Sequence, residues 1–166
     1  MAEKMVEPSR RRTALITGAS SGIGRGFAEA YARRGYDILA VARREAPLDQ
    51  LASDLTSRHG IEVTAFPADL SLPETPGLLL DFAIEKGIAV DVLINNAGFG
   101  VPGNLCDVDW ERHRNSIEVM ATAPVRLCYL FAPAMAESGE GTIINVSSLD
   151  AFLPAHAGGT LYYPVK

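Results

Sequence analysis

Short runs rich in β-branched residues alternate along the chain with longer segments whose apolar residues recur at helical spacing. The runs lie at residues 14–17, 38–42, 62–68, 90–95 and 142–147. Because the central runs are almost continuously apolar, they predict strands buried on both faces, as in a parallel sheet covered by helices. Strands and helices that alternate with short connections favour right-handed βαβ units. The sequence therefore predicts an α/β fold with an open, doubly wound parallel sheet in the order 3-2-1-4-5.

The segments between these runs carry the apolar spacing of helices. In the first helix the predicted buried stripe consists of Ile23, Phe27 and Tyr31. In the second, behind Pro47 at an early helical position, the stripe consists of Leu48, Leu51 and Leu55. A third helix is predicted over residues 76–85. A long fourth helix is predicted over residues 108–137, with kinks at Pro124 and Pro133 because proline cannot donate the helical hydrogen bond.

Length and composition support one globular domain over residues 1–166. The chain is 48% hydrophobic and 21% charged, and its 15 glycines and 10 prolines are too few for a low-complexity chain. No repeat, linker or charge block divides it. The sequence stops at Lys166, where a fifth helix begins, so we expect a fold that is truncated after the start of that helix.

Charge and cysteine content exclude several classes of function. With 15 basic and 20 acidic side chains the net charge is −5, which lacks the basic field needed to bind a nucleic-acid backbone. Cys106 and Cys128 show no metal-ligand spacing, so we expect no metal site and interpret both as core residues in a reducing cytosol. The apolar stretch at residues 127–136 is too short to span a membrane. We therefore expect a cytoplasmic protein without a membrane or nucleic-acid partner.

The turn after the first strand has the spacing Gly-x3-Gly-x-Gly, formed by Gly18, Gly22 and Gly24. Glycines let a backbone turn tightly and approach a pyrophosphate, whose charge is stabilised by free N–H groups at the start of a helix. The other members of this candidate phosphate-binding turn are Ser20, Ser21 and Ile23. Taken alone, the same glycines are also compatible with a tight connection and nothing more.

Two arginines follow the second predicted strand, and an acidic residue follows the third. Arg43 and Arg44 stand where an acidic residue would bind an adenosine ribose hydroxyl. Guanidinium groups bind a 2′-phosphate, so this pair favours NADP over NAD, although it also fits a solvent-exposed helix start. Asp69, followed by Leu70, is positioned either to accept a hydrogen bond from an adenine amino group or to shape a turn.

Polar residues also follow the fourth and fifth strands. Asn95, Asn96, Ala97 and Gly98 end the fourth, and Ser147 and Ser148 end the fifth. Because ligands in open α/β sheets bind at the carboxyl ends of strands, these groups are predicted to converge on one crevice. Tyr162 and Lys166 lie four residues apart, on one face of a helix, where the ammonium would lower the pKa of the phenol.

In this order, the glycine turn, the Asn-Asn-Ala-Gly segment, the serine and the Tyr-x3-Lys pair resemble the short-chain dehydrogenase/reductase family from about residue 12 to residue 166. The resemblance implies a Rossmann-like domain and an NADP-dependent oxidoreductase acting on a carbonyl or secondary alcohol. It implies that Tyr162 is the general acid/base, that Ser148 holds the substrate oxygen and that Lys166 orients the nicotinamide ribose. It further implies a small-molecule substrate and a homodimer or homotetramer.

The resemblance also extends the set of residues expected to bind the cofactor, with Asn95 in a structural role beside them. Together, the predicted NADP-binding residues are Gly18, Ser20, Ser21, Gly22, Ile23, Gly24, Arg43, Arg44, Asp69, Leu70, Asn96, Ala97, Gly98, Tyr162 and Lys166.

Three features depart from the family pattern. Met120 stands where an asparagine of the catalytic tetrad is usual, and a thioether is a weak acceptor and no donor. The interval from Ser148 to Tyr162 is one residue longer than usual, which the loop at residues 153–160 can absorb and which leaves Ser147 as an alternative to Ser148. Family members continue past the Tyr-x3-Lys helix. The alternative function is accordingly a non-catalytic NADP-binding sensor or scaffold, or an inactive fragment.

Overall fold

The computed structural model describes residues 10–154 and 160–166, and a five-stranded parallel sheet forms the centre of this part of the chain. The strands are β1 (Thr13–Thr17), β2 (Asp37–Ala42), β3 (Val63–Pro67), β4 (Val90–Asn95) and β5 (Thr142–Asn145). Their order is β3-β2-β1-β4-β5, and all four neighbouring pairs are parallel. The predicted fold class and strand order are confirmed.

Helices cover both faces of this sheet. They are α1 (Gly22–Ala32), α2 (Glu45–His59), α3 (Thr75–Glu85), α4 (Trp110–Ile117), α5 (Ala123–Ser138) and α6 (Tyr162–Val165). A π-helical segment, Glu118–Thr122, joins α4 to α5, and single 3-10 turns lie at Leu105–Asp107 and Leu149–Phe152. The short loops that follow the carboxyl ends of the strands all reach the same edge of the sheet, which is where a ligand site is expected.

Alternate residues of the strands pack into two separate apolar layers. On one face, Ile16 and Ile38 contact the leucines of α2, which are fully buried as the sequence predicts. On the other, Leu15 and Leu93 contact Leu127 of α5. This alternation follows from the two-residue period of a strand, and it explains why the runs are apolar throughout.

The predicted buried stripe of α1 is wrong by one position. The buried residues of this helix are Gly24, Ala28 and Ala32, whereas Ile23 is 65% exposed. Phe27 and Tyr31 are half-buried at the margin of the core. Small side chains on the inner face let the helix axis approach the sheet closely, so the larger apolar residues lie beside the contact rather than in it.

The long helix is irregular beside Pro124, one of the two predicted kink positions, whereas Pro133 lies within the regular helix α5. It runs over Trp110–Ser138, and its regular hydrogen bonding is interrupted at Glu118–Thr122, immediately before Pro124. Because Pro124 has no N–H to donate, a wider turn at this point costs the helix little. By length and composition this one helix could cross a membrane; here its inner residues, including Leu127, face the sheet.

Two further expectations about burial are corrected. Cys106 is exposed because it lies in the 3-10 turn outside the sheet, and Cys128 on α5 is only half-buried. The sulfur of Cys128 accepts a 3.4 Å hydrogen bond from the Asn95 amide, which also donates to Oδ1 of Asn145 at 2.8 Å. Asn95 therefore ties β4 to β5 rather than facing a ligand. Trp110, the first residue of α4, is 66% exposed.

Candidate active site

A cleft of about 740 Å³ lies at the carboxyl edge of the sheet. Of the residues proposed from sequence for catalysis and cofactor binding, all but Gly24 line it. Those that line it are Gly18, Ser20, Ser21, Gly22, Ile23, Arg43, Arg44, Asp69, Leu70, Asn96, Ala97, Gly98, Ser148, Tyr162 and Lys166. Residues from both ends of the chain therefore meet in one cleft of a size that can hold a dinucleotide.

Close approach of two backbones explains the glycine turn at the base of this cleft. Gly18 has a φ of +68°, and a Cβ atom there would lie 2.8 Å from Nδ2 of Asn96. Gly24 is buried beneath the turn, where a Cβ atom would overlap the Gly18 carbonyl oxygen. Gly24 therefore supports the turn from below and does not line the cleft itself, which is a change from its predicted role.

Thr17, the last residue of β1, joins the glycine turn to the segment after β4. Its Oγ1 atom accepts hydrogen bonds from the backbone amides of Asn96 and Ala97, both at 3.0 Å. Its carbonyl oxygen accepts a 2.9 Å hydrogen bond from the Asn96 side chain. The sequence places Thr17 at the start of the glycine motif, but only its position beside β4 reveals this bridging role.

The start of α1 and the arginines after β2 give the cleft the donors that a phosphate group needs. Ser21 makes no side-chain capping hydrogen bond, so the first amides of α1 retain free donors directed along the helix axis. Arg43 and Arg44 line the same cleft. The Arg43 guanidinium lies 5.9 Å from the centre of the Phe99 ring, a cation–π distance. These residues fit a phosphorylated dinucleotide.

Asp69 shapes a turn and also lines the cleft. Its Oδ1 atom accepts a 2.9 Å hydrogen bond from the amide of Ser71, which is the turn role. Its backbone carbonyl also accepts a 2.6 Å hydrogen bond from the Thr75 hydroxyl. Asp69 still lines the cleft. The turn thus fixes the carboxylate at the cleft wall.

The two candidate serines after β5 have different partners. The hydroxyl of Ser147 donates a 2.5 Å hydrogen bond to the backbone carbonyl of Lys166. The hydroxyl oxygen of Ser148 accepts a 3.2 Å hydrogen bond from the amide of Asp150. Accepting that bond leaves the Ser148 proton available for a substrate oxygen, whereas the Ser147 proton is already committed. The geometry therefore favours Ser148 over Ser147 as the donor to substrate.

Lys166 is held at the end of the cleft by the strand beside it. Its ammonium group donates a 3.0 Å hydrogen bond to the carbonyl of Val146. Burial lowers the pKa of Lys166 below its ordinary value, because the charged form loses water contacts. Tyr162, one turn earlier, is half-buried and packs against the apolar layer that contains Met120.

Two apolar side chains are exposed in the turn that follows the cleft-lining residue Ser148. Leu149 is 82% exposed and Phe152 is 84% exposed, in the turn directly after Ser148. Tyr163 is buried and does not line the cleft. The extra residue expected between Ser148 and Tyr162 was assigned to a loop whose residues 155–159 lie outside the described part of the chain.

Comparison with known proteins gives the same family along most of the chain. A model of the short chain dehydrogenase family matches residues 12–163. The very-long-chain 3-oxoacyl-CoA reductase of Phaeosphaeria nodorum is 32% identical over 155 residues, covering 85% of this chain and 42% of that protein.

Solved structures with the same fold include enzymes of this family. The short-chain dehydrogenase from Sphingobium yanoikuyae, in complex with NADPH, is 38% identical with a TM-score of 0.86, over 93% of this chain and 60% of that one. The bulky-bulky ketone specific alcohol dehydrogenase from Comamonas testosteroni is 35% identical with a TM-score of 0.86, over 93% of this chain and 61% of that one. The chain thus spans 42% to 61% of the length of these three proteins. Sequence and fold agree, and the chain belongs to the short-chain dehydrogenase family.

Proposed function

We propose that the protein is an NADP-dependent oxidoreductase that interconverts a carbonyl group and a secondary alcohol. The observation that carries this proposal is the single cleft lined by the glycine turn, Arg43 and Arg44 at one end and by Ser148, Tyr162 and Lys166 at the other. A bound nicotinamide supplies or accepts the hydride. The similarity to a dehydrogenase solved with NADPH supports the choice of cofactor.

The side chains at the catalytic end divide the work on the substrate oxygen. The hydroxyl of Tyr162 donates a proton to that oxygen during reduction and removes it during oxidation. Ser148 holds the oxygen with its free hydroxyl proton, since its own oxygen is occupied by the Asp150 amide. The Lys166 ammonium, with one N–H bonded to Val146, keeps two donors for the ribose and for water. The benefit of this arrangement is mainly orientation.

A substitution of the proton donor tests the catalytic assignment. Tyr162→Phe should abolish NADPH-dependent reduction of a ketone panel, while the Kd for NADPH measured by fluorescence stays within about twofold, because only the hydroxyl is lost. Tyr31→Phe, which removes the same hydroxyl from a half-buried tyrosine of α1 outside the cleft, is the matched control and should retain turnover. Retained turnover in Tyr162→Phe would refute the acid/base role. NADPH binding without turnover in the unmodified protein would favour a non-catalytic sensor or scaffold.

A charge reversal tests the cofactor preference. Arg43→Asp should weaken NADPH binding at least about 10-fold while NADH binding improves, because a carboxylate repels the 2′-phosphate and accepts from a ribose hydroxyl. Arg58→Asp, at an exposed arginine in the last turn of α2, is the control variant that makes the same change of charge outside the cleft. An unchanged ratio of the two Kd values in Arg43→Asp would remove Arg43 from the phosphate site.

We further propose a small-molecule substrate with apolar substituents, a cytoplasmic location and a homo-oligomer. The exposed Leu149 and Phe152 beside Ser148 support the substrate class. Val125 and Tyr129 on the outer face of α5 are 70% and 80% exposed, and this face suits a contact between subunits. Val119, Ala123 and Leu127, on the inner side of the same long helix, are buried in the core.

A further inference from the structure

Met120 and Lys166 both lie beside Gly98 in the cleft wall. A Cβ atom built on Gly98 would lie 3.1 Å from the Lys166 Nζ atom and 3.1 Å from the Met120 sulfur. Met120 belongs to the π-helical segment Glu118–Thr122, and Lys166 follows α6. Because Gly98 has no side chain, the thioether and the ammonium can occupy the space next to it.

The thioether gives that ammonium very little polar compensation. Met120 is only 8% exposed, and its sulfur is a weak acceptor that cannot donate. The single described partner of the Lys166 Nζ atom is the Val146 carbonyl. Within the π-helical segment Met120 is buried together with Val119.

Charged groups elsewhere in the cleft do not account for the lowered pKa of Lys166. The charged or titratable side chains that line the same cleft are Arg43, Arg44, Asp69, Asp150 and Tyr162. Burial is the cause that lowers the pKa of Lys166, with no charged neighbour contributing. Glu118, at the start of the π-helical segment, instead acts on Arg114 of α4.

We propose that Met120 is a positioning residue that confines the Lys166 ammonium against Gly98 and sets how readily this amine gives up its proton. The proposal rests on the proposed function for the task of the ammonium, but its geometry does not depend on turnover. An amide in place of the thioether would accept a hydrogen bond from Nζ and stabilise the charged form, whereas another apolar side chain would not.

Competitive labelling of lysines tests this without cofactor or substrate. Acetic anhydride reacts with neutral amines, so the labelling rate of each lysine against pH, read by mass spectrometry, gives its titration midpoint. In the unmodified protein the Lys166 midpoint should lie below the ordinary value for a lysine amine, because burial disfavours the charged form. Met120→Gln should raise the Lys166 midpoint by about 1 pH unit, the equivalent of one modest charge-assisted hydrogen bond. Met120→Leu, which conserves volume and polarity, should leave it within about 0.3 unit.

The outcomes separate this proposal from the proposed function. Equal midpoints in all three proteins, or an equal shift in the Gln and Leu variants, would overturn the role of Met120. If Met120→Gln does not fold by circular dichroism, Met120→Asn carries the same prediction with a smaller side chain. In an active protein, the part of the pH profile of kcat/KM that depends on the titration of Lys166 should shift in the same direction as the labelling midpoint. Loss of turnover in every variant, with the labelling shift present, would contradict only the proposed function.

Discussion

Two glycines of α1, only two positions apart, should respond in opposite ways to the same substitution. A Cβ atom on Gly24 would overlap the carbonyl oxygen of Gly18 and lie 2.5 Å from Nδ2 of Asn96. A Cβ atom on Gly26 would meet nothing within 4 Å, because this residue is exposed on the outer face of the helix. Gly24→Ala and Gly26→Ala therefore form a matched pair.

The magnitudes follow from these contacts. Both substitutions gain about 0.5–1 kcal/mol, because alanine loses less backbone freedom than glycine in a helix. Gly24→Ala also costs about 1–3 kcal/mol for overpacking against a backbone that cannot move easily. Displacement of the Asn96 amide from the Thr17 carbonyl costs about 1 kcal/mol more. The two variants should thus differ by about 2–4 kcal/mol in the free energy of unfolding, with Gly26→Ala slightly more stable than the unmodified protein.

Urea unfolding followed by circular dichroism measures this difference, and NADPH fluorescence titration measures its effect on the cleft. Gly24→Ala should also lose most of its NADPH affinity because Gly18 and Asn96 are pushed apart, whereas Gly26→Ala should bind as before. Equal unfolding free energies and equal Kd values for the two variants would refute the argument that close backbone approach explains the glycine spacing.

Two hydrogen-bonded positions outside the catalytic residues give further predictions. Thr17→Val should lower the free energy of unfolding by about 2–4 kcal/mol, because two backbone amides lose their hydrogen-bond acceptor. Thr17→Ser keeps the hydroxyl and should lower it by only about 1 kcal/mol. Similar losses in the two variants would contradict the role of the hydroxyl. Partial burial disfavours the charged form of Asp91, but hydrogen bonds from Arg10 and the Thr13 amide outweigh it and lower the pKa of Asp91. The Asp91 carboxylate therefore stabilises the fold at pH values above the pKa of about 4 that it has in the unfolded chain. That stabilisation is lost as the pH falls through the lower pKa of the folded state. Asp91→Asn should be about 1 kcal/mol less stable at pH 6, with the difference shrinking below pH 3 in acid-unfolding curves; a constant difference would argue against the pair.

The parts of the fold set by local pattern could be predicted from the sequence. Apolar runs separated by helical segments define parallel strands, and the position of each polar motif just after a run puts it at the carboxyl edge of the sheet. That is why residues as distant as Gly18 and Lys166 could be assigned to one cleft before its geometry was known. The stripe of leucines in α2 was predictable for the same reason.

Features that depend on how closely two elements approach each other could not be predicted. The inner face of α1 consists of Gly24, Ala28 and Ala32, which a search for large apolar residues passes over in favour of Ile23. The deciding quantity is the distance between the backbones of α1 and the sheet, and small side chains permit a close approach without announcing it as an apolar stripe would.

The two ends of the cleft are held in physically different ways. At the glycine turn, β1 and β4 lie side by side in the sheet, and the Thr17 hydroxyl joins their ends within the buried core. At the other end, hydrogen bonds link Lys166 to Val146 and Ser147, the residues directly after β5. The buried sheet core thus fixes one end of the cleft, and polar contacts at the end of β5 fix the other.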